Sequence, residues 1–138
     1  MLILNPRSVT FGLATWDGVV AVSIDRAAAR VVEEWSDDGP YAVLADVPEQ
    51  RTRIIVAQEP SADDVGVPRP GDQATLTLHT SPASADAGRR VISATAVVLA
   101  VEHEISLKRG ASRTITLAAV SASGNADPIS IIEAPHSL

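Results

Sequence analysis

The stretch from Val101 to Lys108 most tightly constrains what this chain can fold into. Val101, His103, Ile105 and Leu107 alternate with Glu102, Glu104, Ser106 and Lys108. That period of two puts apolar side chains on one face of a strand and charged ones on the other. Lys108-Arg109-Gly110-Ala111-Ser112 follows as a polar turn, and Ile115, Leu117 and Ala119 then alternate with Thr114, Thr116 and Ala118. Two alternating runs joined by a short glycine-containing loop predict a β-hairpin. Its apolar face places Ile105, Leu107, Ile115 and Leu117 in the core, with His103 half-buried beside them. Ahead of it, Val91 to Ala100 is apolar on both faces and is expected to be covered on both sides. Behind it, the turn-rich stretch from Ser121 to Pro128 leads to a last short run, Ile129 to Ile132.

The rest of the chain repeats this grammar. Met1 to Leu4 reads as a short strand added to a sheet or to a neighbour's edge, and Val9 to Thr15 as a strand interrupted at Gly12. Trp16-Asp17-Gly18 is a turn, and Val19 to Ile24 a β-branched strand. Residues 26–36 fit both periods: Ala28, Val31, Val32 and Trp35 share a helical face, yet the run also fits a strand entering the turn at Asp37-Asp38-Gly39-Pro40. The strand uses that turn better, with Tyr41 to Val47 returning on its far side. Pro48-Glu49-Gln50 is expected to break the chain before a strand from Arg51 to Gln58. Glu59 to Asp72 is a long irregular loop whose three prolines allow at most one helical turn, over Ala62 to Val65 with Ser61 as its cap. Ala74, Leu76 and Leu78 mark another strand, and Ser81 to Gly88 another loop. Short strands separated by Pro/Gly turns predict an all-β fold, a β-barrel or sandwich of antiparallel strands with at most one short helix. Residues 1–138 read as a single β domain.

Composition narrows the function classes. With 138 residues and no cysteine, the chain needs no disulfides and offers no thiolate metal site, which reads as an intracellular protein. The opening apolar run ends at Asn5-Pro6, too short for a signal peptide or a membrane span. Aromatics are 3% of residues and the net charge is −6, so neither base stacking nor general attraction to nucleic acid is favoured. His79, His103 and His136 lack ligand spacing, and the pairs Glu33-Glu34, Asp37-Asp38 and Asp63-Asp64 lack the alternation of a calcium loop. There is no nucleophile elbow, P-loop or dinucleotide-binding glycine pattern. No catalytic, cofactor-binding or metal-ligating residue is therefore assigned, and no cofactor is expected. The basic groups Lys108, Arg109 and Arg113 surround the hairpin turn, where an exposed tip or an ion-pair patch between subunits is favoured over nucleic-acid readout.

The order of these pieces resembles that of bacteriophage tail tube proteins and the inner tubes of related injection machines. The resemblance rests on Pro70-Gly71-Asp72 opening a strand and on the run from Ile92 into Glu102-His103-Glu104-Ile105-Ser106-Leu107. It continues through Lys108-Arg109-Gly110-Ala111 and Thr114 to Ser121, covering the second half of the chain. It implies a virion protein, made in the host cytoplasm, that stacks as rings into a tube. Its partners would be itself, other tail proteins, and DNA that passes without sequence-specific binding. A different tail or baseplate component, or a monomeric β-barrel binding module, remains open as an alternative. On the tube reading, Asp63, Asp64, Val65 and Val67 of the long loop and Lys108 and Arg109 of the hairpin tip are expected assembly contacts. Glu102 and Glu104 are expected to face solvent, a neighbour or the channel.

Overall fold

The computed structural model describes residues 1–59, 68–80, 90–107 and 110–133. Every regular element among them is a strand: β1 (Leu2–Leu4), β2 (Ser8–Phe11), β3 (Ala14–Thr15), β4 (Val19–Trp35), β5 (Ala42–Gln58), β6 (Gln73–His79), β7 (Arg90–Ser106), β8 (Gly110–Val120) and β9 (Ser130–Glu133). They form one antiparallel sheet in the order β1-β4-β5-β8-β7-β6-β2-β3, with β9 paired to β7. The expected all-β architecture holds. Residues 26–35 of that ambiguous 26–36 run are strand, because the turn at Asp37-Asp38 lets β5 supply the hydrogen bonds that β4 needs.

The hydrogen-bond ladder does not close, but the N-terminal segment joins its two ends. Residues 2–4 pair with β4, and the Asn5 N–H reaches the Val20 carbonyl at 2.9 Å. From Arg7 onward the same segment turns to β6, beginning with Arg7 N–H to the His79 carbonyl at 2.8 Å. Asn5, at φ 48°, is where it changes partner, a left-handed conformation that Asn tolerates better than most residues. The sheet must curl for one short segment to touch both edges. The core fills the inside of that curl: Ile3, Phe11, Val22, Ile54, Leu76, Val98 and Leu117 are among its buried members. Trp16 stacks on Phe11 with ring centroids 5.1 Å apart.

The lane beside β7 is shared. β6 takes one edge of β7 over Val91–Val97, so β9 uses the other edge at Arg90–Ser93, the lane that β8 leaves at Thr95. Residues 121–129 are thus an excursion between two pieces of one lane. Ile129 is buried against the core, and Asp127 lies 2.8 Å from Arg26 on β4.

Four expectations need correcting. Ile105 (85% exposed) and Leu107 (108%) are not in the core, although Ile115 and Leu117 are fully buried. Ile105 sits opposite Ala111 and so shares the inward face, but the hairpin has by then run past the end of the core. His103 is exposed for the same reason. Second, Arg113 belongs to no exposed patch, because it is buried within the fold. Third, Pro48 does not end a strand. β5 runs through it, and the ladder is irregular there, passing from Ala28↔Gln50 through Arg30↔Glu49 to Val32↔Asp46. A proline without an N–H is tolerated where pairing already lapses. Fourth, β7 is buried on one face only, since Thr95 and Leu99 on the other are exposed.

Candidate functional site: an exposed assembly surface

β4 and β5 are each 17 residues long, but the core supports only one end of their hairpin. Inward residues are buried as far as Ile24 and Ile54, and beyond them every residue from Asp25 to Gln50 is exposed except the half-buried Val32. This projecting arm carries Val31, Trp35 (58% exposed), Tyr41 (82%), Val43, Leu44 and Val47. Isolated two-stranded hairpins are marginal in water, and a projecting one that shows this much apolar surface is a candidate contact. Local ion pairs do little to hold it: Arg30 and Glu49 stand 3.9 Å apart, both largely exposed.

The arm also has open edges. Among the described residues no strand pairs with β4 beyond Ser23 on its outer side, so Asp25 to Trp35 present an unpaired edge. β8 leaves β5 at Thr52, so residues 42–51 are open on that side as well. On β7, pairing with β6 stops at Val97, and Gly71 and Asp72 continue it only to Val98. Among the described residues nothing pairs with 99–106 on this side, which leaves a second open edge.

The two overhangs point in opposite directions. β8 runs from Arg113, opposite Gln58, to Ala119, opposite Thr52. The β7–β8 tip therefore projects past the Gln58 end of β5, and the arm past the Thr52 end. At the base of the tip, the Arg113 guanidinium donates from Nε (3.0 Å) and Nη2 (2.5 Å) to Gln58 Oε1, and Gln58 Nε2 donates to the Asp17 carbonyl at 2.7 Å. This buried network ties β8 to β5 and to the turn before β4. At the base of the arm, Arg26, Pro48, Gln50 and Thr52 face the 121–129 excursion across an open polar groove of about 390 Å³. The Ile129 N–H, then Arg26, holds the Asp127 carboxyl below its usual pKa.

Of the residues expected to make assembly contacts, Asp63, Asp64, Val65, Val67, Lys108 and Arg109 all lie outside the described residues. Glu102 and Glu104 are exposed on the face away from the core, opposite Thr114 and Ser112. Sequence reasoning missed the arm's Trp35, Tyr41, Val43 and Leu44. A signal was there: charges fall at both parities, as at Asp25, Arg26, Arg30, Glu33 and Glu34, which leaves neither face fit for burial. Among the described residues no three His, Asp or Glu side chains are grouped to hold a metal. What the surface offers is unpaired backbone and apolar side chains, the chemistry of strand addition and packing.

No family model and no curated protein sequence matches this chain. Solved structures do. A chain in the tail of an empty gene transfer agent particle, a structure with C6 symmetry, superposes with a TM-score of 0.57 at 12% identity, covering 91% of this chain and 94% of that one. A chain of the virion of a native gene transfer agent particle gives 0.55 at 12% identity with the same coverage. At such low identity the likeness is one of fold, shared along nearly the whole of both chains.

Proposed function

We propose that this protein is a structural subunit of a phage-type tail, which joins copies of itself head-to-tail into rings that stack as a tube. The carrying observation is the run of four adjacent long strands, β4-β5-β8-β7, whose outer members both keep an unpaired edge. Neighbours in that run are antiparallel, so β4 and β7 point in opposite directions. When the β4 edge of one copy meets the β7 edge of the next under a rotation, the new pair is again antiparallel. A ring can therefore continue one antiparallel sheet across every joint, and the edges that a lone domain would have to blunt are used. The free portions of β4 and β7 lie toward opposite ends, so strands in such a ring tilt relative to its axis. The arm and the β7–β8 tip, projecting oppositely, suit contacts between successive rings.

On this reading the work is done by the assembled surface and no residue is catalytic. Within the tail of the virion, the partners are further copies and other tail proteins. Asp63, Asp64, Val65, Val67, Lys108 and Arg109 remain candidate contacts between copies. Glu102 and Glu104, facing a channel, would repel phosphate and let DNA pass without adhering, in keeping with the net charge of −6. The test is negative-stain microscopy and native mass spectrometry of the purified chain over a concentration series. Rings or filaments are expected. A protein that stays monomeric throughout and takes a small ligand would instead be a binding module.

A further inference from the structure

A ring built by strand addition needs more than open edges, because antiparallel strands can slip by two residues without changing which side chains face inward. In a closed sheet, strand stagger and tilt set the diameter, so slippage at the joint gives rings of different size. Something must fix where the incoming strand stops.

The geometry points to β1 as that stop. It occupies the β4 edge at Ala21–Ser23, flanked by Asn5 N–H to Val20 O and Ile24 N–H to Met1 O, at 2.9 and 2.8 Å. The edge then lies open from Asp25 to Trp35, which accommodates the unpaired residues 99–106 of a second copy's β7 but ends abruptly at β1. β1 is three residues long, and its buried Ile3 anchors it while Leu2 and Leu4 are exposed. A strand this short adds little sheet, yet its position on the β4 edge that continues into the arm gives it a use. This inference rests on the head-to-tail ring proposed above, and it adds that β1 stays in place during assembly and sets the register.

A reversible lock tests it. Since Met1/Ile24 and Asn5/Val20 are hydrogen-bonded positions, Leu4 and Ala21 form a non-hydrogen-bonded pair with closely spaced side chains, suited to a disulfide. The chain has no cysteine of its own to interfere. Oxidised Leu4→Cys/Ala21→Cys protein is expected to form assemblies of wild-type diameter. A chain lacking residues 1–4 is expected to give a spread of diameters in negative-stain images. A locked chain that stays monomeric until reductant is added overturns the proposal, because β1 then has to leave. A shortened chain whose assemblies keep one wild-type diameter overturns it as well. Should the shortened chain not fold, the locked chain decides alone. A wild-type chain that never assembles refutes the ring itself, and the stop with it.

Discussion

Near its root, the β4–β5 hairpin pairs Val22 with Val56, both fully buried; farther along the same two strands, Trp35 and Val43 stand in water. Both halves pair antiparallel, the arm with register shifts between Ala28 and Val32 and again at Glu34/Trp35, so strand pairing alone does not make a core. The difference lies in what covers the inward face. Over the root lie Leu117, Val98 and Ile3, and over the base of the arm, among the described residues, only the short excursion that delivers Ile129 and Asp127. The root is core and the arm is exposed surface.

The largest expected effect is at the covered end. Ile115→Ala, at a fully buried site, should cost about 2–5 kcal/mol in urea unfolding. Ile105→Ala, on the same face of the neighbouring strand but past the core, should stay within about 0.5 kcal/mol. Equal costs would mean that the tip has a cover in the monomer.

The glycines at the two ends of the hairpin give a second contrast. Gly18 has φ +71°, and an added Cβ would sit against the Glu59 carbonyl oxygen, whereas a Cβ at Gly39 in the arm's turn meets nothing within 4 Å. Gly18→Ala should destabilise by about 1–3 kcal/mol, and Gly39→Ala by less than about 0.5 kcal/mol. Thermal melts of the two variants side by side check this.

The arm itself should reverse the pattern. Trp35→Ala with Tyr41→Ala should leave monomer stability within about 0.5 kcal/mol. If the aromatics anchor a contact, the same change raises the concentration needed for assembly about tenfold or more. Sedimentation across a concentration series measures the second effect, and unchanged assembly would remove the arm from the contact.

The smallest effect concerns Asp127. Its folded pKa is lowered, first by the Ile129 N–H and then by Arg26, so its contribution to stability is present above the unfolded value of about 3.9 and is lost as pH falls through the folded one. Asp127→Asn should flatten the acid end of the stability profile by a small loss at neutral pH, where the ionised carboxylate contributes, with little change below the folded pKa. An identical profile would show that the excursion is held to the arm by packing alone.

The alternation at Val101–Leu107 and Ile115–Ala119 was enough to establish a β-hairpin. The turn residues at Gly18 and Asp37-Asp38 bracket β4, because turn chemistry is local. Between them, however, the sequence reads as a strand to Ile24 followed by a run, 26–36, whose period fits helix as well as strand. An all-β architecture follows from these alone. Burial is not local. Ile105 and Ile115 look alike in sequence, and Arg113 reads as one more surface cation, until the register sets Arg113 against Gln58 inside the fold and carries Ile105 past its end. Whether an apolar face is core or contact depends on which distant strand lies over it, and only the tertiary structure decides that.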